Sequence, residues 1–220
     1  MKTTIRLAVA GLLLLPALAA AGGFNLSARA STLGVGYEIG YAVNDYVNFR
    51  VAFNDYSYEY DTTEDDIDYT FDLELESTAY FLDIHPFGGS FRLTGGLLDN
   101  KNRLDGQAEP AGTYEINGVS YSGDQVGTLF SAVRLGEEQP VYVGLGFSQP
   151  LGESGWGLGF DIGAVMMGDS DVELAATGPI TTLDPNFAAN LEAEEQEVES
   201  EINADFDTYP VVALGITFQF

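Results

Sequence analysis

The sequence predicts an all-β fold: a closed antiparallel transmembrane β-barrel of eight to ten strands, with one amphipathic helix in a loop before the last strand. Three observations carry this expectation. Alternate residues are apolar over many runs of strand length, as in Leu33, Val35, Tyr37, Ile39, Tyr41 and Val43 against Gly34, Gly36, Glu38, Gly40 and Ala42. The acids crowd into residues 61–68 and 192–207 and leave most alternating runs nearly free of charge. The chain ends in a strand-like stretch in which Val212, Leu214, Ile216, Phe218 and Phe220 share one parity while Val211, Ala213, Gly215, Thr217 and Gln219 share the other. Such a terminal strand needs a partner strand and an apolar solvent. A membrane barrel supplies both, because about 9–11 tilted residues cross the bilayer and closure leaves no unpaired edge. A soluble sandwich or lipocalin-like barrel is the competing fold for an apolar last strand.

Residues 1–21 read as a secretory signal peptide. Lys2 and Arg6 make a positive start, residues 7–15 an apolar stretch, and Ala19, Ala20 and Ala21 a small-residue cleavage site. No later stretch has the roughly 20 apolar residues of a spanning helix. Membrane residence is therefore expected through strands, with residues 22–220 as one barrel domain. The chain has no cysteine, so an exported fold must rely on strand hydrogen bonds and packing. Losing the leader leaves six basic against 34 acidic residues, a formal charge of −28. Such a surface repels nucleic acid and excludes a polynucleotide-binding role.

In chain order, Leu26, Ala28 and Ala30 begin an alternation whose phase flips at Thr32 and Leu33, through a bulge or a tight turn. The strand of Val35 to Val43 follows, then turn chemistry at Asn44 and Asp45, and a return strand with Val47, Phe49, Val51 and Phe53 on its apolar side. Tyr56, Tyr58 and Tyr60 continue it toward an acidic loop and are expected to form an interfacial aromatic girdle. Tyr69, Phe71, Leu73 and Leu75 alternate with Thr70, Asp72, Glu74 and Glu76, and the phase is lost near Tyr80. A compact turn at residues 85–89 leads to Phe91, Leu93 and Leu97, with Arg92 and Thr94 inward. Residues 99–125 are polar and contain a small hairpin about Asn117-Gly118. Residues 126–135 form a strand of ambiguous facing.

The two least equivocal spans follow. Val141, Val143, Leu145 and Phe147 alternate with Tyr142, Gly144 and Gly146, and Trp156 to Met166 alternates with Gly157, Gly159, Asp161 and Gly163. Inward glycine at every second position predicts a narrow lumen shared with something large. Asp184-Pro185 marks a helix start, and Phe187, Leu191, Val198 and Ile202 form one thin apolar stripe, expected to pack on the barrel. Eight spans are clear. Adding the weaker 24–31 and 171–177 gives ten, the count favoured because it places the turns at 44–45, 86–89 and 136–139 in the periplasm; eight is the alternative, with the turns at 44–45 and 86–89 outside.

The pattern of Gly215, Phe218 and Phe220 resembles the C-terminal signal read by the bacterial outer-membrane assembly machinery, although Ala213 stands where a polar residue is usual. The hairpin of residues 36–47 is similar to those of small OmpA-like and OmpW-like barrels. The mature chain resembles a family of uncharacterised proteobacterial outer-membrane proteins, on His85-Pro86-Phe87-Gly88, residues 141–146, residues 155–161 and Tyr209-Pro210-Val211. The resemblance implies an outer-membrane location and a barrel fold; a monomer is expected, with lipids and lipopolysaccharide as surroundings and the assembly machinery as partner. The resemblance implies no reaction, and no cofactor is expected.

The inward parity carries Glu38, Arg50, Asp72, Glu74, Glu76, Arg92 and Asp161, so a lumen charge network is expected in which each arginine lies against carboxylates of neighbouring strands. Its functional readings are a polar plug or a narrow cation-favouring conduit driven by surplus carboxylate. His85, the single histidine, precedes Pro86 in a turn expected at the periplasmic end, whereas barrel lipid deacylases use a serine and histidine pair near the outer leaflet, so no enzyme is expected. The acids of 61–68 lack the register of a calcium loop, and no metal site is assigned. Acidic loops that meet a ligand, cation or partner are the alternative class of function, a lipid-modifying barrel enzyme the third.

Overall fold

The computed structural model describes residues 2–4, 23–64, 67–109 and 112–220. The leader and its cleavage site lie outside the described residues, apart from the backbone of residues 2–4, as do residues 65 and 66 of the acidic loop. Barrel strands are β2 (Phe24–Ser31), β3 (Gly34–Asn44), β4 (Val47–Glu64), β5 (Ile67–Ile84), β6 (Phe91–Asn100), β11 (Val141–Pro150), β12 (Trp156–Met166) and β14 (Thr208–Gln219). They pair antiparallel in the ring order β4, β3, β2, β14, β12, β11, β6, β5, and β5 closes back on β4, giving eight strands. The last strand lies between β12 and the first barrel strand, with Leu214 opposite Ala30 and Phe218 opposite Leu26. The flip at Thr32 is a tight turn. Gly34 takes a φ of 120°, and the Thr32 N–H donates to the Val212 carbonyl at 3.1 Å.

The favoured count of ten is corrected to eight, and the reason is spatial. The weak 24–31 stretch belongs to the wall, whereas the ambiguous 126–135 and the short 171–177 do not. The start of β2 and the end of β14 therefore share one end with the turns after Asn44, Ile84 and Pro150, so an eight-strand ring keeps these turns on the side of the C-terminus. At this turn end Asn44 Oδ1 accepts from the backbone N–H groups of Tyr46 and Val47, at 2.8 and 3.0 Å.

At the other end β4 and β5 outrun the wall. β3 pairs with β4 only as far as Asp55, and β6 with β5 only as far as Ser77. Beyond this level β5 is continued sideways by β7 (Arg103–Ala108), β10 (Leu129–Arg134) and β13 (Asp171–Ala176), an open sheet standing above the barrel. The hairpin β8 (Thr113–Ile116) and β9 (Val119–Ser122) turns through Asn117 and Gly118, both at positive φ, as its Asn-Gly pair predicts. Helices α1 (Gly123–Val126), α2 (Ile180–Leu183) and α3 (Phe187–Phe206) complete this extension. The long helix starts after Asn186, and Asp184 accepts hydrogen bonds just before it. Its stripe meets the extension and not the barrel wall: Phe187 is buried with Ile67, Ala108, Tyr114, Ile116, Tyr121, Val126 and Ile180, and Leu191 packs against them. Glu195 and Asn203 accept from the N–H groups of Leu174 and Ser170, which covers the outer edge of β13. A short strand β1 (Lys2–Thr4) pairs with β4 on its opposite edge.

Along β5 the apolar side changes without any slip of register. Near the turns the outward residues are Tyr80, Leu82 and Ile84, and Ser77, Ala79, Phe81 and Asp83 are buried inside. Above Ser77 the odd side, now Phe71, Tyr69 and Ile67, covers the extension's apolar core, and the even side carries Glu74, Asp72 and Asp68. The lost phase near Tyr80 is thus a change of solvent and not a bulge: lipid surrounds the lower half, water the upper. The same inversion corrects the expected girdle. Tyr56, Tyr58 and Tyr60 share the parity of inward Arg50 and pair with Leu75, Leu73 and Phe71. The aromatic band lies instead at the turn end, where Phe24 meets Tyr41 at 4.7 Å, Trp156 meets Phe218 at 5.1 Å and Phe218 meets Phe220 at 5.1 Å between ring centres.

The wall's outer surface is an apolar belt. Leu145, Ile162, Val212 and Leu214 are 41–62% exposed in the isolated chain, a pattern that only hydrocarbon makes favourable. Leu145→Arg, near the middle of this belt, is expected to cost about 2–4 kcal/mol in reversible urea unfolding from lipid vesicles. Glu173→Arg, on the exposed face of the extension, is expected to stay within about 0.5 kcal/mol of the parent.

Candidate functional site

Inside the wall, six charged side chains from six strands converge. Arg29 comes from β2, Glu38 from β3, Arg50 from β4, Asp83 from β5, Arg92 from β6 and Asp161 from β12. Inward parity brings each to the same level, since Gly40 pairs with Arg50, Gly146 with both Arg92 and Asp161, and Gly215 with Arg29. Glycine is required at such a level. A Cβ at Gly146 would strike Arg92 and Asp161, and one at Gly144 or Gly163 would strike the Tyr142 hydroxyl. The large neighbours that the inward glycines call for are this charged group and the Tyr142 ring.

Arg50 is the hub. Its Nε and Nη2 grip the two oxygens of Asp83 at 2.5 and 2.8 Å, and its Nη1 donates to Glu38 at 2.7 Å. Arg29 donates to Glu38 and, at 2.7 Å, to Asp161, which also accepts from Arg92 at 2.7 Å. Asp83 is fully buried and takes further hydrogen bonds from Thr94 at 2.7 Å and Asn48 at 2.9 Å. Arg92 Nη1 donates to Ser148, and its buried Nε, 3.8 Å from Asp83 Oδ1, makes no hydrogen bond. The Arg50 guanidinium also stands 4.9 Å from the centre of the Phe81 ring. Buried ions hold when each charge faces an opposite one, because removing one leaves another desolvated without compensation.

Of the residues expected in the lumen, Glu38, Arg50, Arg92 and Asp161 lie in this group, and Asp72 and Glu74 do not. The two acids stand on the outer face of the extension, where Glu74 pairs with Arg103 at 3.0 Å, both about half exposed. Glu76 is likewise outside, 3.0 Å from Lys101, and holds the Lys101 ammonium above its usual pKa. Sequence reasoning missed Arg29 and Asp83. Arg29 had the right parity in a strand judged weak, and Asp83 alternates with Tyr80, Leu82 and Ile84 just where the phase was thought lost. With them the group holds three arginines and three carboxylates, so the expected surplus of lumen carboxylate is corrected to a balance.

Toward the loop end the lumen turns apolar. Leu33, Ala52, Ala79, Phe81, Leu98, Tyr142, Val165, Met167 and Val211 form one buried cluster, with the Phe81 and Tyr142 rings 5.0 Å apart. The segment after β10 lies across it: Leu135 packs on the cluster, and Asn100 Nδ2 donates to the carbonyls of Leu135 and Glu137 at 2.7 and 2.9 Å. Between this cluster and the charged group the free space is about 10 Å³, at the limit of a single water. Toward the turn end the lumen opens into a polar cavity of about 760 Å³, lined among others by Asn25, Ser27, Asn48, Ser148, Thr217 and Gln219. His85 is at its rim, where its Nδ1 is 2.7 Å from the Gly89 carbonyl.

The terminal residues Gly215, Phe218 and Phe220 are placed by the closing strand. Gly215 faces inward beside the Ala28 carbonyl and Arg29, Phe218 faces out against Trp156, and the Phe220 N–H donates to the Phe24 carbonyl at 3.1 Å.

No family model matches the chain, and no curated protein matches it in sequence. Solved structures do share its fold. Acinetobacter baumannii CarO superposes with a TM-score of 0.57 at 19% identity, covering 89% of this chain and 97% of that one. CarO2 of the same organism superposes with a TM-score of 0.58 at 19% identity, covering 90% of this chain and 98% of that one. The likeness spans the barrel and its extension and establishes the fold.

Asp83→Ala is expected to destabilise the protein by about 3–5 kcal/mol, because it strands Arg50 in the buried layer. Asp72→Ala on the outer face is expected to change stability by no more than about 0.5 kcal/mol. Urea unfolding of the two variants side by side checks both.

Proposed function

We propose that this chain is a monomeric integral protein of the bacterial outer membrane whose role is structural, with a lumen closed to solutes. The observation that supports this reading is the stacking, within one narrow lumen, of a charge-balanced ionic layer and an apolar layer. The ionic layer offers no surplus charge to draw an ion through, and the apolar layer offers no hydrogen bonds to a hydrated one. Short turns, the start of the first wall strand and the end of the last at one end fit a periplasmic side, and the long extension fits the outer surface. In this reading the exposed belt meets lipid and lipopolysaccharide acyl chains. The terminal strand, with Gly215, Phe218 and Phe220, is the handle that the assembly machinery grips before closure. Catalysis has no part in it.

A second reading, favoured by the extension's own apolar core and ordered hairpin, makes that extension a surface-binding module. Its sheet and helix form a built structure and not a set of slack loops, and it carries most of the chain's acids. The barrel then serves as its anchor.

Planar-bilayer recording of the refolded protein is expected to show no stable conductance steps, whereas Phe81→Ala combined with Tyr142→Ala is expected to produce them. Large anion-selective steps in the parent would refute the closed lumen. Deletion of Phe220 is expected to slow assembly into outer membranes, scored by heat-modifiable gel mobility, while leaving the unfolding midpoint of the assembled fraction nearly unchanged. Parent-like assembly of that variant removes the handle role.

A further inference from the structure

We propose that the edge of β4 above the barrel is a strand-addition site for an extended cationic segment, one with Lys or Arg four positions apart on one face. The proposal rests on the second reading above, that the extension is a binding surface. The ring leaves β4 unpaired on one side once β3 stops at Asp55, although β5 continues to pair with it as far as Glu64. The opposite margin of the same sheet, β13, is covered by the long helix. One margin is therefore blocked by the chain's long helix, and the other carries only the three residues of β1. An open edge presents a row of backbone donors and acceptors that a further strand can satisfy.

The chemistry along that edge specifies the partner. On the outward face, Asp55 stands directly opposite Glu76 and Glu59 directly opposite Asp72, two like-charge cross-strand pairs. Such pairs oppose sheet formation unless a cation lies near. Lys101 serves Glu76, and Arg103 serves Glu74 and Asp105. Among the described residues no Lys or Arg side chain is within ion-pair distance of Asp55, Glu59 or Asp72. Asp55 and Glu59 lie four residues apart on one face of β4, with Asp72 beside Glu59 on β5, a spacing that a strand with basic residues four apart can match. They also disfavour a second copy of this chain, whose own β4 would bring Asp55, Glu59 and Asp61 against the same acids.

The edge is seen to accept a strand. Residues 2–4 lie on it antiparallel, with Lys2 opposite Glu59, Thr3 opposite Tyr58 and Thr4 opposite Ser57. This is a basic stretch from the segment read as a leader, and its removal on export vacates the edge. What the stretch offers, an extended backbone with a basic residue aligned to Glu59, describes the partner's chemistry.

The test uses the exported protein purified from outer membranes in detergent and a fluorescent peptide, Lys-Thr-Thr-Ile-Arg, in anisotropy titrations at moderate salt. Saturable binding is expected, with amide-exchange protection gained in residues 56–62 and not in β13. A peptide with proline at its third position keeps the charge and loses a ladder donor, and its affinity is expected to fall about tenfold. Glu59→Lys in the protein is expected to weaken binding similarly while heat-modifiable mobility stays unchanged. Equal binding of the proline peptide overturns strand addition and leaves an acidic binding surface standing. Absence of binding by either peptide overturns the proposal, and retained binding by Glu59→Lys overturns the assigned edge. N-terminal sequencing that returns Met1 also overturns it, since the chain's own start then fills the edge.

Discussion

In hydrocarbon no water is present to take an unpaired backbone N–H or carbonyl, and the pairing of β14 with β2 is what removes the last unpaired edges from the membrane-spanning part of this chain. Every other property of the wall depends on that closure. The outward residues are released to be as apolar as lipid allows, and the inward ones are forced together in a ring of eight strands, too narrow to leave side chains apart. The tight turn at Thr32 is part of the same joint. Its backbone N–H, carbonyl and hydroxyl bond to Val212, Tyr209 and Pro210 of the closing strand.

A narrow ring must be filled, and how it is filled divides the lumen into levels. Arginines with several donors each are suited to a layer where six strands contribute, because one guanidinium bonds carboxylates on two or three neighbours at once. Inward glycines are the counterpart of these long side chains. Gly144 and Gly163 leave room for the Tyr142 ring, and Gly146 for Arg92 and Asp161. The apolar level above needs no such partners and is completed by Leu135 and Met167 from segments outside the wall. The cavity at the turn end is what remains where inward side chains such as Asn25, Ser27, Ser148 and Thr217 are short.

The extension obeys the same strand geometry under the opposite solvent rule. β4 and β5 run through the membrane boundary with unbroken register, so their two faces keep their parity while exchanging their chemistry. Inside the membrane the outward face is greasy and the inward face polar; above it the outward face carries acids and the inner face covers a core built with the hairpin and the long helix. The helix has one thin stripe because only one side of it finds cover. Its acids also serve the fold, Glu195 by capping the exposed N–H of Leu174.

Much of this was legible in the residues themselves. A period of two, inward glycines in β11 and β12, the Asn117-Gly118 turn and the apolar terminal strand each follow from local chemistry that does not depend on distant parts of the chain, and they determined an antiparallel barrel with a helix before its last strand. Glu38, Arg50, Arg92 and Asp161 were legible as inward by parity. What parity does not encode is height. Asp72 and Glu74 have the alternation of a wall strand but stand above the membrane, where water inverts which side is apolar, and only the pairing of β5 with β7 puts them there. Strand number was decided by the same fact, since 126–135 reads as a wall strand and pairs instead in the extension. Asp83 became Arg50's partner because β4 and β5 meet in one register across the lumen level, a long-range relation that no single stretch of sequence contains.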